Sequence, residues 1–183
     1  MAIESYELEQ ATQNALQKCR ELRVNFLAID LDRTILEIHT GGRWKESAEA
    51  IFPHIRPIFR SLIPAARREG LYVAVVTFSN QIEIVHQILE HIGTPDVPIR
   101  GGYPGLDFVY EGQGSTQGKQ AHMASVVEEL QARHKGLEIT RASTVLIDDD
   151  AKNIRVALQN GVRAVWLNPK KPDRLLNDLH ELV

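Results

Sequence analysis

The sequence predicts an open α/β protein in which a mainly parallel sheet is covered by helices on both faces. Short apolar runs recur along the 183 residues at 24–29, 71–76, 144–147 and 162–167. These runs lack the regular polar alternation of half-exposed strands, which is typical of strands buried on both faces. Segments with helical periodicity lie between them, and this alternation favours a parallel sheet with right-handed crossovers.

Six helices are predicted from apolar residues spaced three and four apart. The N-terminal helix, within residues 1–22, is expected to pack on or beside the core. A helix within residues 53–70 is expected to begin at Pro57 and to be kinked at Pro64, since proline suits only the first turn of a helix. The remaining helices are predicted near residues 82–92, 123–130, 154–158 and 175–182.

Length and composition indicate an ordinary globular protein, with residues 1–183 forming a single domain. The net charge is −3, which argues against nucleic acid as the main partner, because binding to the phosphate backbone needs a concentrated basic surface. The single cysteine, Cys19, cannot form an internal disulfide. Residues 1–10 carry three glutamates and no apolar core, so no secretory signal is expected there, and the longest apolar run, residues 71–78, is too short to span a membrane. A cytoplasmic or nuclear location is therefore expected, and no oligomeric state is predicted.

Polar residues concentrate where the predicted strands end, and in open α/β sheets this edge carries the functional site. Five acids meeting there repel one another, unless their pKa values rise or a divalent cation joins them. Aspartate oxygens without histidine or cysteine favour Mg²⁺, and a nearby lysine and hydroxyl suit a phosphoryl group. The residues concerned are Asp30, Asp32 and Thr34, then Thr77 and Ser79, then Lys119, and finally Asp148, Asp149 and Asp150.

This constellation resembles the haloacid dehalogenase (HAD) superfamily of phosphohydrolases. The resemblance lies in four motifs in the right order over residues 24–167. They are Asp30-x-Asp32-x-Thr34, the strand-end Thr77, the helix-opening Lys119 and the pair Asp148-Asp149. The stretch 146–154 is also similar to the last motif of the small capless magnesium-dependent phosphatase family. The resemblance implies a three-layer α/β/α Rossmann-like fold without a cap and phosphatase activity.

Four catalytic roles follow from the resemblance. Asp30 is implied to be the nucleophile that forms an aspartyl-phosphate, and Asp32 the general acid and base. Thr77 is implied to hydrogen-bond a phosphoryl oxygen. Lys119 is implied to neutralise charge on the phosphate and on Asp30.

The resemblance also implies a magnesium site. Its ligands are the carboxylates of Asp30 and Asp149 and the backbone carbonyl of Asp32, with Asp148 in support. Asn153 stands where relatives often have another acid, which suggests a water-mediated contact to the metal.

Several residues have a second interpretation. Ser79 competes with Thr77 for the hydroxyl role, although it is also placed to cap a helix beginning near residue 80. Lys152 is the alternative to Lys119, because a lysine in a first helical turn is usually a solvated surface residue. Asp150 is the best candidate among the acids to cap the following helix.

The segments around the site indicate an open site and two loops that border it. The short gaps between motifs leave no room for a large cap, so a phosphorylated protein side chain or a small phosphate ester is the expected substrate. A flap at residues 37–46 holds His39, Arg43, Trp44 and Lys45. It is interpreted either as a wall for the leaving group or as a solvated hairpin anchored by its tryptophan. The loop 101–105 is a second candidate wall.

Other functions are weighed against this one. The glycine-rich run before Lys119 fails the P-loop pattern, because Gln113 and Gln120 replace its glycine and its hydroxyl residue. A response-regulator receiver places its acidic pair first in the chain, whereas here the pair comes last. A catalytically weak or inactive phosphatase fold that serves as a binding or regulatory protein remains an alternative. A phosphotransferase using the same aspartyl-phosphate is another.

Overall fold

The computed structural model describes residues 2–112 and 114–183, with side chains from Ser5 onward, so Met1 and Gln113 lie outside the described residues. The strands are β1 (Phe26–Ile29), β2 (Tyr72–Val76), β3 (Ile99–Arg100), β4 (Thr144–Asp148) and β5 (Arg163–Trp166). The helices are α1 (Ala2–Glu21), α2 (Ala48–Ile51), α3 (Pro57–Arg68), α4 (Ile82–His91), α5 (Gln120–Arg133), α6 (Ala151–Gln159) and α7 (Leu175–His180).

The five strands form one parallel sheet in the order β3-β2-β1-β4-β5. Phe26 at the start of β1 lies opposite Tyr72 on one side and Thr144 on the other. The central position of β1 places the ends of β2 and β4 directly beside its own end. All four predicted strands are present. The short edge strand β3 was not predicted, because two residues after Pro98 show no recognisable apolar run.

Helices cover both faces of the sheet, which confirms the predicted three-layer α/β/α arrangement. Successive side chains of a strand point to opposite faces. Accordingly Leu27 and Ile29 belong to a large core with α1, α3, α4 and α7. Phe26 and Ala28 belong to a smaller core with α5 and α6. The absence of polar alternation in β1 follows from this burial of both faces.

Helix α1 contributes to the larger core instead of lying apart from it. Its side chains Ala15, Leu16 and Cys19 are buried, and the helix contacts α3 and α7. Burial raises the pKa of the Cys19 thiol to about 11, so this cysteine remains a protonated core side chain. The apolar face read from the sequence is thus the face that packs on α3 and α7.

The predicted start of α3 at Pro57 is confirmed, and the short α2 and the single 3₁₀ turn before it were not predicted. Pro64 lies inside α3, which continues to Arg68, and the kink at Pro64 stays a prediction. Proline lacks an N–H, but the loss of one backbone hydrogen bond is tolerated because Leu62, Ile63 and the residues after Pro64 pack into the core.

Within the described residues, no helix combines the length and the apolar character that crossing a membrane requires.

Packing of α1 predicts a large effect of truncating Leu16. The side chain is fully buried, so Leu16→Ala removes apolar contacts and leaves a cavity. We expect a loss of about 2 to 5 kcal/mol in the free energy of unfolding, measured by urea denaturation. Leu106, which is 80% exposed, is the matched control, and Leu106→Ala should change stability by less than about 0.5 kcal/mol. If Leu16→Ala and Leu106→Ala both lower the free energy of unfolding by less than about 0.5 kcal/mol, α1 does not belong to the cooperative core.

Candidate active site

A cavity of about 490 Å³ opens at the carboxyl ends of β1, β2 and β4. Asp30 follows β1, Thr77 follows β2, and Asp148 is the last residue of β4. Parallel strands that are neighbours bring their ends to one edge, so residues far apart in sequence meet there. The cavity is lined by Asp30, Asp32, Arg33, His39, Gly42, Thr77, Phe78, Ser79, Lys119, Asp148, Asp149, Asp150, Ala151 and Asn153.

The centre of the site is a buried ion pair between Lys119 and Asp30. Lys119 Nζ lies 3.0 Å from Asp30 Oδ1, and the two side chains are 1% and 9% exposed. Burial raises the pKa of Asp30 above its ordinary value, and the charge of Lys119 opposes that rise. Lys119 Nζ also lies 3.7 Å from the centroid of the Phe78 ring, a cation–π contact on its other side.

Lys119 enters the site because the chain turns sharply just before α5. Gly118 has a φ of +54°, and a side chain at that position would approach Asn153 Oδ1 to 3.3 Å. This glycine therefore lets the loop turn tightly against α6 and directs the next residue inward. The alternative lysine, Lys152, is exposed and does not line the cavity.

Three carboxylates form a cluster beside this ion pair. Asp30, Asp148 and Asp149 each offer an oxygen, and these oxygens lie within 4.8 Å of one another. Burial and the charge of Asp30 raise the pKa of Asp148 to about 8 and that of Asp149 to about 6. Mutual repulsion in a desolvated site is relieved when protons or a cation bind.

The donor set of the cluster fits a hard divalent cation such as Mg²⁺. All the available ligand atoms are oxygens, and no histidine or cysteine of the described residues joins the group. Asp148 already accepts two hydrogen bonds, from the backbone N–H of Asp150 at 2.8 Å and from Asn153 Nδ2 at 3.0 Å. The Asp149 carboxylate is half-buried and is hydrogen-bonded by its own backbone N–H, so it is the freer of the two to bind a metal.

A tryptophan that the sequence analysis missed holds the loop after β4. Trp166 Nε1, at the end of β5, donates to the backbone carbonyl of Asp149 at 2.7 Å. On the other side of this loop, the Asp150 carboxylate accepts from the N–H of Lys152 at 2.7 Å and caps α6, as predicted. The peptide of Asp149 is therefore fixed from both sides. A tryptophan at a strand end gives no sequence signal for this contact.

Asp32 lies at the edge of the cavity, in a wide turn at residues 31–35 in which Asp32 itself has an extended backbone. Arg33 in this turn has a φ of +58°, a conformation that costs a non-glycine residue about 1 kcal/mol or more. Its N–H donates to the Ile38 carbonyl, which stabilises the turn. The structure shows that the flap at 37–46 folds back over Asp32, and Thr40 in the flap hydrogen-bonds both of its carboxylate oxygens.

The two candidate hydroxyls after β2 both line the cavity. Thr77 is 1% exposed, and its Oγ1 accepts from the N–H of Ser79 at 3.1 Å. Ser79 Oγ accepts from the N–H of Gln81 at 3.3 Å. The prediction that Ser79 caps a helix near residue 80 is wrong, because α4 begins at Ile82 and Gln81 is its N-cap residue.

Asn153, the flap and the loop 101–105 were also predicted to border the site, and each contacts a residue of the cavity or its surroundings. Asn153 is buried and its Nδ2 donates directly to the Asp148 carboxylate, while its water-mediated contact to a metal stays a prediction. Trp44 anchors the base of the flap, since its ring Nε1 donates to the Ser47 carbonyl and its backbone N–H donates to the side-chain oxygen of Gln81. In the loop 101–105, Tyr103 packs against Phe78, which lines the cavity.

Comparisons with known proteins identify the fold. No protein-family model and no curated protein sequence matches the chain. The N-terminal part of the protein BF1531 from Bacteroides fragilis, which contains a phosphatase domain and was crystallised with Mg, matches with a TM-score of 0.57 and 15% identity. That match covers 87% of this chain and 41% of that chain. DsGPDH of Dunaliella salina matches with a TM-score of 0.52 and 13% identity over 87% of this chain and 26% of that one.

The chain therefore spans less than half the length of either structural neighbour. At these identities the likeness concerns the fold alone. The protein has a Rossmann-like α/β/α fold that a phosphatase domain solved with Mg also has. Its acidic cluster is compatible with metal binding.

The acidic cluster predicts a metal response that depends on Asp149. We expect saturating Mg²⁺ to raise Tm by about 5 to 10 °C, because a ligand at 100 times its Kd stabilises a domain of this size by about 2.7 kcal/mol. Asp149→Asn should lose most of this rise, since it removes the carboxylate that is free to bind the ion. Thermal denaturation with EDTA and with MgCl₂ measures the rise in Tm for the wild type and for Asp149→Asn. The neighbouring Asp150→Asn removes a carboxylate but keeps an oxygen that can cap α6, and it should keep the Mg²⁺ response.

The raised pKa values predict how stability depends on pH without metal. Between about pH 4 and pH 8 the folded protein keeps a proton on Asp148 that the unfolded chain releases, so the free energy of unfolding falls as pH rises. Asp149 adds to the fall up to about pH 6. Denaturation curves in EDTA from about pH 5 to pH 9 measure this slope. Asp148→Asn should flatten it, and a slope unchanged in that variant would contradict the assignment.

Proposed function

We propose that the protein is a Mg²⁺-dependent phosphomonoester hydrolase that acts through an aspartyl-phosphate intermediate on Asp30. The observation that carries this proposal is the buried pair of Asp30 and Lys119 beside the carboxylates of Asp148 and Asp149. A lysine that is 1% exposed is costly to bury unless its charge is used. Here it faces a carboxylate at the edge of a sheet where phosphoryl groups bind in open α/β folds.

In the first step Asp30 attacks the phosphorus atom of the ester. The bond from its carboxylate oxygen to phosphorus forms while the bond from phosphorus to the leaving oxygen breaks. Lys119 balances the charge of the phosphoryl group and favours the ionised form of Asp30, and the buried hydroxyl of Thr77 is available to a phosphoryl oxygen. Asp32 gives a proton to the leaving alkoxide.

In the second step water hydrolyses the aspartyl-phosphate. Asp32, now ionised, accepts a proton from the attacking water, and Asp30 is released together with inorganic phosphate. We assign the metal to the carboxylates of Asp30 and Asp149 and the carbonyl of Asp32, with Asp148 in support. When bound, Mg²⁺ supplies positive charge that offsets the negative charge of the phosphoryl group.

The substrate is proposed to be a phosphorylated protein side chain or a small phosphate ester, taken up by an open site without a cap. A second cavity, of about 500 Å³, adjoins the first at Arg33 and is lined by Trp166 and Lys170 as well. The segment between the first two motifs holds only the flap, α2 and α3. The open cavity and the short segment between the motifs support a single hydrolase domain with access for a bulky leaving group. The cytoplasmic or nuclear location stays a prediction.

The chemistry is tested with p-nitrophenyl phosphate. The wild type should release p-nitrophenol in the presence of Mg²⁺, and EDTA should abolish turnover. Asp30→Asn should lower kcat by at least about 1,000-fold, because an amide cannot accept the phosphoryl group. The matched control is Asp173→Asn, the same change at an exposed position outside the cavity, which should leave kcat unchanged. Equal inactivity of wild type and Asp30→Asn would overturn the proposal and favour a binding role.

A further inference from the structure

Asp32 is held by a single residue of the flap. The backbone N–H of Thr40 donates to Asp32 Oδ1 at 2.9 Å, and the Thr40 hydroxyl donates to Asp32 Oδ2 at 3.1 Å. Two donors on two oxygens fix both the position and the plane of the carboxylate. Thr40 belongs to none of the motifs that the sequence analysis used.

The flap is shaped to bring Thr40 to this place. Thr40 is 7% exposed although His39 and Gly41 on either side of it are exposed. Gly41 and Gly42 have φ values of +69° and +78°, which L side chains rarely adopt, so the chain reverses directly after Thr40. The hydroxyl is therefore turned inward onto Asp32 by the backbone of the flap itself.

No other flap side chain supplies this hydrogen bond. His39 Nδ1 lies 3.5 Å from Asp32 Oδ2, but this nitrogen accepts from the N–H of Gly41 at 2.9 Å. A ring nitrogen that accepts a hydrogen bond carries no proton to donate to Asp32. Thr40 is thus the residue that orients the carboxylate in the structure.

We propose that Thr40 is a positioning residue that holds Asp32 in place for proton transfer to the leaving group. This inference rests on the proposed phosphatase function. It adds a specific role for the flap, which the sequence interpreted only as a wall or a solvated hairpin.

The geometry also assigns the two oxygens of Asp32 different tasks. The backbone N–H always donates, so Oδ1 remains an acceptor and the transferable proton belongs on Oδ2. The Thr40 hydroxyl donates to one lone pair of Oδ2 and leaves the other for the proton that is transferred. As the bond from phosphorus to the leaving oxygen breaks, the proton passes from Oδ2 to that oxygen. In the second step Oδ2 regains a proton from the attacking water.

The test compares two esters of similar size whose leaving groups differ in basicity. p-Nitrophenolate leaves without help, whereas p-methylphenolate needs a proton from a general acid. Thr40→Val keeps the backbone N–H and the side-chain shape but removes the hydroxyl. We expect kcat/KM, which includes the phosphoryl-transfer step, to fall about 10- to 100-fold with p-methylphenyl phosphate and less than about threefold with p-nitrophenyl phosphate.

Three further variants separate positioning from a general structural effect. Thr40→Ser retains a hydroxyl and should restore kcat/KM for both esters. Asp32→Asn should show the same preference for the better leaving group, and adding Thr40→Val to it should lower kcat/KM no further. Thr94→Val makes the same change at another buried threonine, outside the cavity, and should preserve the wild-type ratio between the two esters. Melting temperatures with and without Mg²⁺ establish that each variant is folded.

The outcomes of these assays either support or overturn the positioning role of Thr40. An equal fall for both esters in folded Thr40→Val would overturn the positioning role and leave the proposed function intact, provided that Asp30→Asn abolishes wild-type turnover. A faster reaction of p-methylphenyl phosphate would also overturn it, because Thr40 would then hold Asp32 away from the substrate. If the wild type shows no Mg²⁺-dependent turnover of either ester, the proposed function fails and this role fails with it.

Discussion

The constraint on which the site depends is the repulsion among carboxylates that the sheet brings to one edge. Two like charges about 4 Å apart interact by about 4 kcal/mol at the effective dielectric constant of a protein surface, and by more in its interior. Asp30, Asp148 and Asp149 share such a space. Lys119 compensates part of this charge, while burial and the charge of Asp30 together still raise the pKa values of Asp148 and Asp149. The pocket is therefore electrostatically prepared to take up one more cation.

The sheet order produces this crowding directly. Because β1 lies between β2 and β4, the chain that leaves β1 at Asp30 has Thr77 on one side and Asp148 on the other. Because β1 is buried on both faces and paired on both sides, its end at Asp30 is held close to the ends of β2 and β4. Stability of the core is thus used to hold an arrangement that is itself unfavourable without a bound cation.

Around this rigid centre, loops of different origin orient individual groups. Trp166 fixes the peptide of Asp149 from β5, and Asn153 fixes the carboxylate of Asp148 from α6. Thr40 does the same for Asp32 from the flap. Each of these contacts acts on a residue that lines the cavity, next to the proposed phosphoryl position. Groups that react must be held closely, and most of the holding is done by residues that do not react.

Much of the fold and the composition of the candidate site were predictable from the sequence, because both rest on local patterns. The apolar runs predicted four of the five strands, and the acids directly after them identified the edge of the sheet where they meet. Only the tertiary structure decided the burial of Lys119, whose partner Asp30 is 89 residues away, and the pairing of Trp166 with the carbonyl of Asp149. The hydrogen bonds from Thr40 to the Asp32 carboxylate were also found only in the tertiary structure. Periodicity and residue type determine which face of an element is buried, whereas contacts between distant segments depend on how the loops turn in the assembled fold.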